Sequence, residues 1–156
     1  VGVALFRLIW GLVGSRHARF GDFLRAPAAA LAYLKSLLGR RPQHHVGHNP
    51  AGAWAIVLLL ALGLLTGASG WLTYQEIGGE LFEELHEGLA STMLAVVMVH
   101  LLGVAAGSLV HRENLPRAMV TGLKIGAAQD AIVSARPLAA VALVGWVGAV
   151  AWLLSR

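Results

Sequence analysis

Residues 51–72 form an apolar stretch without a single charged side chain. A span of this kind leaves very few folds open. In hydrocarbon no water is present to pair with backbone N–H and C=O groups, so a crossing segment must satisfy them itself, as a helix or within a closed barrel. About 20 residues of helix cross a bilayer, and 51–72 meets that length in one run. A second such run, 85–110, follows after a short polar interval. With 57% hydrophobic and only 13% charged residues among 156, the whole chain reads as an all-α integral membrane protein.

Two further apolar segments complete the set. Residues 1–13 carry Arg7 and end near Trp10, a suitable interface anchor, and 137–154 close the chain at Trp152. A span needs about 20 residues, and 1–13 supply only part of one. The expectation is that the natural protein has an N-terminal segment before Val1. Between the first two spans, 27–38 is Ala- and Leu-rich after an N1-type proline, with Gly39 as a stop. That pattern predicts a short helix lying at the membrane surface.

The connections alternate in charge. Residues 14–49 carry Arg16, Arg19, Arg25, Lys35, Arg40 and Arg41 against Asp22 alone. Residues 74–87 hold Glu76, Glu80, Glu83, Glu84 and Glu87 with no Lys or Arg, and 111–136 return to Arg112, Arg117, Lys124 and Arg136. The positive-inside rule then places 14–49 and 111–136 on the cytoplasmic side of a bacterial inner membrane and the acidic loop 74–87 on the periplasmic side. The same placement accounts for the net charge of +4 and removes the case for nucleic acid. Membrane lipid is the first partner.

No cysteine is present. Disulfides, thiolate metal sites, covalent c-type haem and iron–sulfur clusters are therefore excluded. Any redox centre must rest on histidine or another non-thiolate ligand. His86 and His100 stand fourteen residues apart in the third span. Fourteen helical steps leave them about 40° apart on one face and about 21 Å apart along the axis. An intramembrane imidazole is costly and marks a functional site by default. Ligation of haem iron satisfies it, and two on one stripe suit two b haems stacked across the bilayer. The bland reading keeps His86 wet and His100 hydrogen-bonded in a core. Against it, His100 is flanked by Met98, Val99, Leu101 and Leu102. Gly88 and Gly103 lie near the two histidines and offer room for a macrocycle edge.

His111 lies near the same face; a propionate or headgroup contact suits it better than ligation, and a plain surface histidine is an equal alternative. Arg16 and Arg112 are candidate propionate partners through bidentate guanidinium–carboxylate pairing. Arg7 either snorkels to the headgroups or holds a propionate. His44, His45 and His48 form an H-H-x-x-H string in a loop between Pro42 and Pro50, without the helical context of a metal site. His17 is a surface or quinone-side residue.

Several of these segments, in order, resemble the bacterial cytochrome b561 and nickel–iron hydrogenase b-type cytochrome family. They are Arg7-Leu8-Ile9-Trp10-Gly11 running into Gly14-Ser15-Arg16-His17-Ala18-Arg19-Phe20, Gly47-His48-Asn49-Pro50 before a span, Leu85-His86-Glu87, and His111-Arg112-Glu113-Asn114-Leu115. The resemblance reaches to about Lys124. It implies a four-helix diheme core, here lacking its first helix and the start of its second, within a domain 1–124. Residues 125–156 would add a linker and an extra span. It also implies that His100 pairs with a histidine on the absent first helix and His86 with one just before Val1. Electrons would pass between a quinone pool and another redox subunit, a soluble cytochrome c or a hydrogenase-like protein. The acidic 74–87 segment would meet a basic partner through complementary charge.

The chain offers no evident catalytic acid, base or nucleophile, which points to an electron-transfer subunit rather than a stand-alone enzyme. The alternative is a haem-free structural or assembly subunit of a larger membrane complex. A transporter is the weakest reading, since the spans after Arg7 have essentially no acidic residue in mid-membrane.

Overall fold

The structure is a computed structural model that describes residues 1–156 apart from 38, 40–42, 125, 133–136 and 155–156; at 128, 140 and 154 it describes the backbone alone. Arg40, Arg41, Arg136 and Arg156, and the last residue of the expected 27–38 helix, lie outside the described residues. The chain folds into seven α-helices among those residues: α1 (Gly2–Val13), α2 (Phe20–Phe23), α3 (Pro27–Leu37), α4 (Pro50–Tyr74), α5 (Glu80–His111), α6 (Leu115–Thr121) and α7 (Pro137–Leu154), with a 3-10 turn at Ala128–Asp130 before α7.

Helices α4 and α5 are long and apolar enough to cross a membrane. Both expose large side chains along their length: Val99 is 70% exposed, Leu102 68% and Leu109 80%. Aliphatic surface on this scale would be a liability in water and is the ordinary exterior of a helix in lipid. Asn49 starts α4 by accepting the Gly52 N–H at 2.7 Å, with Pro50 supplying the fixed φ of the first turn. At its far end the chain reverses through residues 75–79, where Gly78 and Gly79 take positive φ of 75° and 55°. Helix α5 then runs back antiparallel, and this pair is the most extensive helix contact.

The acidic segment 74–87 differs from the expected loop. Only 75–79 lie outside helix; Glu80, Glu83, Glu84 and Glu87 occupy the opening turns of α5. The physical reason is electrostatic. Carboxylates near a helix N-terminus face the unpaired N–H groups and the positive end of the macrodipole, so they lengthen the helix rather than end it. The resulting α5 is about 48 Å long and projects beyond a hydrocarbon core about 30 Å thick.

The segment 111–136 also holds structure that a plain connection would not. Asn114 caps α6 by accepting the Arg117 N–H at 2.8 Å, and Gly122 ends it at φ 70°. Leu115 packs at Gly107, folding α6 back along the end of α5.

The remaining elements assemble on α4. Helix α3 lies against it, with Tyr33 3% exposed and Trp54 Nε1 donating to the Arg25 carbonyl at 3.0 Å. Helix α1 packs on α7 and, more lightly, on α4. Val1 abuts Gly67, and Trp146 Nε1 donates to the Gly2 carbonyl at 3.0 Å. The start of α1 therefore lies beside the later turns of both α4 and α7, while its end meets α2 near the start of α4. The turn after α1 depends on Gly11, because the Phe20 ring occupies the space a Cβ would fill there.

Gly11→Val should expel the Phe20 ring and loosen α2 from α1. Overpacking of this kind costs about 1–3 kcal/mol, which a thermal unfolding comparison in detergent will read as a lower midpoint.

Candidate functional site

His86 is half-buried on α5 and reaches across to α4. Its Nδ1 lies 3.0 Å from the Thr66 carbonyl and 3.3 Å from Ser69 Oγ. A carbonyl only accepts, so Nδ1 carries the proton and Nε2 of the neutral ring is left with its lone pair. This is how metal-ligating imidazoles are held in proteins: one nitrogen donates to a backbone carbonyl, fixing tautomer and ring plane, and the other faces the metal. Gly70 permits the approach, because a Cβ there would stand 2.8 Å from His86 Cε1. The glycine against His86 is thus Gly70 of the neighbouring helix. Gly88 is about 200° around α5 from His86 and lies away from it.

His100 is half-buried, and among the described residues it has no hydrogen-bond partner. Gly103, one turn on, faces open space, with nothing within 4 Å of where a Cβ would be. The histidine set therefore fits a b-type haem. His86 is oriented with a free Nε2, His100 has no hydrogen-bond partner among the described residues, and Gly103 leaves room beside it.

The other candidates are spread over the basic end. Arg7 stacks on two rings, its Cζ 5.3 Å from the Phe20 centroid and 5.7 Å from that of Phe23. Its Nη1 is buried with no hydrogen-bond partner among the described residues. A buried guanidinium nitrogen without an acceptor is costly, and an anionic group such as a propionate would relieve it. Arg16 is engaged elsewhere: Nη1 donates to the Gln129 carbonyl at 2.6 Å and Nη2 lies 3.8 Å from Asp130. Arg112 ends α5 in the left-handed region at φ 52°, exposed, beside Arg117. Its guanidinium does not join Arg7 and Arg16.

His111 meets Tyr33 Oη at 3.4 Å and the edge of the His44 ring at 5.6 Å between centroids. The H-H-x-x-H string diverges. His44 Nε2 lies 3.4 Å from Glu113, the His45 ring stands edge-on to Tyr33, and the His48 ring packs on Phe23. His17, also with positive φ, bonds the Asp130 carbonyl at 2.9 Å. His17 and His48 line a cavity of about 260 Å³ that Phe23 and Pro50 floor. Lys124 ties this region together, donating to the His45 carbonyl at 2.7 Å and lying 3.7 Å from Glu113.

Residues 1–122 match the family described as prokaryotic cytochrome b561. The chain belongs to that family. Membership makes it a membrane b-type cytochrome of electron transfer that binds b-type haem, in keeping with the oriented His86 and with the two membrane-crossing helices. Comparison with curated proteins and with solved structures returned no significant match.

Thr66 and Ser69, which hold His86, were not among the residues that the sequence pattern singled out. They belong to a different helix, and only the antiparallel register of α4 and α5 brings them to it.

Burial pushes the His45 imidazole below its ordinary value of 6.5, with the nearby His44, Lys124 and His111 acting in the same direction. The unfolded chain therefore takes up the proton first as pH falls. Stability from this group is complete above about 6.5 and is lost progressively below it. His45→Phe keeps the ring against Tyr33 and removes the titration, so its unfolding midpoint should fall less between pH 7.5 and 5.5 than that of the parent (both pH values set roughly one unit either side of the histidine reference).

Proposed function

We propose that this cytochrome carries two b haems, one ligated by His86 towards the acidic end and one by His100 towards the basic end. The reading rests on one observation above others: the Nδ1 of His86 is committed to the Thr66 carbonyl at 3.0 Å, which leaves Nε2 as the ligand atom. Val1 abuts Gly67, one turn from the Gly70 that lies under His86, so the start of α1 stands at the level of the His86 site.

Bound haem supplies one-electron redox chemistry, and bis-histidine ligation without an open position favours electron transfer over oxygen chemistry. The chain's own residues do the rest. His86 and His100 set the spacing, Thr66 and Ser69 hold a ring plane, and the aliphatic exterior of α4 and α5 excludes water. Arg7, with its unmet Nη1, takes a propionate; Arg16, Arg112 and His111 line the basic end, where they meet propionates or headgroups. A quinone would enter the cavity beside His17 and His48. Electrons pass between that pool and a redox partner, a cytochrome c or hydrogenase-like subunit, at the acidic end of α5. The charge pattern supports a multi-pass inner-membrane protein with 14–49 and 111–136 cytoplasmic and the acidic end periplasmic. On this reading 1–124 is the cytochrome domain and α7 is an added span.

A reduced-minus-oxidised spectrum with a pyridine haemochrome assay, on protein from its native membrane, should give two b haems per chain. His86→Ala and His100→Ala should each remove one. Retention of both haems in either variant overturns the ligand assignment, and absence of haem from the parent leaves the haem-free scaffold.

Gly70→Ala tests the orientation of the ring separately. The added methyl should displace the imidazole and lower occupancy or broaden the redox transition of one haem alone, as followed by potentiometric titration at the α-band. An unchanged titration would mean that the ring is not positioned by α4.

A further inference from the structure

At the basic end, a second cavity of about 470 Å³ lies between the end of α5 and α6, outside the haem ligand stripe. Its lining brings together Arg112, Arg117 and Lys124 with Glu113, three cations against one carboxylate and so a surplus of two positive charges. The carboxylate is held on one side, with Oε2 3.7 Å from Lys124 and 3.4 Å from His44, while Oε1 is buried without a hydrogen-bond partner among the described residues. Neither Arg112 nor Arg117 has an acidic partner within ion-pair distance among the described residues. The fold enforces this convergence. The left-handed Arg112 turns the chain, the Leu115 N–H donates to Ser108 Oγ at 3.3 Å, and α6 is pinned back on α5.

Leu123 lines the cavity and is 78% exposed, and exposed aliphatic side chains continue on the same two helices, with Leu109 on the last turn of α5 at 80% and Met119 and Val120 on other faces of α6 at 66% and 89%. Unpaired guanidinium groups would be met by any phosphate, yet a free anion would leave that aliphatic surface uncovered. A molecule with a phosphate at one end and alkyl chains at the other satisfies both. Basic pockets of this kind beside membrane-spanning helices suit anionic headgroups, and guanidinium matches phosphate oxygens bidentately.

We propose that this cavity is a binding site for one anionic phospholipid. Its phosphate rests on Arg112 and Arg117, and its acyl chains run along the exposed aliphatic side chains of α5 and α6. Lys124 stays on Glu113 and the His45 carbonyl, so the lipid secures α6 and the 44–48 loop at the membrane surface. The site is independent of haem ligation.

The test is native mass spectrometry of the intact protein in detergent, offered phosphatidylglycerol, phosphatidylcholine or glycerol 3-phosphate. One phosphatidylglycerol should remain bound per chain, phosphatidylcholine should not, and glycerol 3-phosphate should not displace it. Arg112→Gln with Arg117→Gln should weaken retention roughly fivefold per guanidinium, on the order of thirtyfold together. Lys35→Gln, on the exposed face of α3, should leave retention unchanged. The pair Arg112→Lys with Arg117→Lys keeps the charge and should keep the preference for phosphatidylglycerol. Equal retention of both lipids, equal loss in Lys35→Gln, loss of preference in the lysine pair, or full retention in the glutamine pair would each overturn the proposal. Displacement by glycerol 3-phosphate would do so as well, by assigning the cavity to a free anion.

Discussion

The contact between His86 and the Thr66 carbonyl joins the two long helices by a hydrogen bond from a side chain of one to the backbone of the other. In lipid the imidazole must find an acceptor, and the available one is a carbonyl of α4 left accessible by the missing side chain of Gly70. That requirement sets the rotation of α5 against α4, and with it the face on which His100 emerges fourteen residues later. It also explains why the pairing is specific in a sequence otherwise made of interchangeable aliphatic residues. Leucine and valine press helices together without choosing a register; one histidine, one carbonyl and one glycine choose it.

Around this pair the protein is thinly packed. Phe23, Tyr33, Pro50, Ala53 and Leu62 are its buried apolar side chains among those described, and four of the five lie in or beside the region where α2, α3 and the start of α4 meet. Towards the far end, burial on α4 falls to Leu62 and Ser69, and Gly63 opens outward. Rigidity is thus concentrated at the basic end. The opposite half offers surface for bound cofactor, lipid or neighbouring helices. A membrane protein can sustain this because backbone hydrogen bonding within each helix, rather than burial of apolar area, secures the individual spans.

Much of this was legible in the residue order. Uncharged length located helices α4 and α5 to within about five residues, Pro27 opens α3 as its position suggested, and the family resemblance agrees with the match over residues 1–122. The opening turns of α5 were misjudged because a run of glutamates has two physical readings, solvated loop or dipole-stabilised helix start, and only the flanking Gly78 and Gly79 distinguish them. Helix α6 had its signals in plain view: Asn114 as cap, Pro116 in the first turn and Gly122 as stop. It is too short for periodicity to reveal. The partners of His86 and the divergence of His44, His45 and His48 depend on which helix lies opposite, and a single chain position carries no trace of that.

The two ends of the protein also differ in electrostatic field, and the difference follows from how each is built. The acidic end is helix itself: Glu83 and Glu87 flank His86 along α5, with no Lys or Arg from 74 to 87. The basic end is an assembly of short elements that carry Arg7, Arg16, Arg112, Arg117 and Lys124, and α4 turns its positive N-terminus the same way. An added electron is disfavoured beside carboxylates and favoured beside guanidinium groups, most strongly where solvent is excluded, as at Arg7 Nη1. On the diheme reading, the His86 site would then be the harder of the two to reduce and the His100 site the easier. The same charge asymmetry would slope the path of the electron from the acidic end to the basic one.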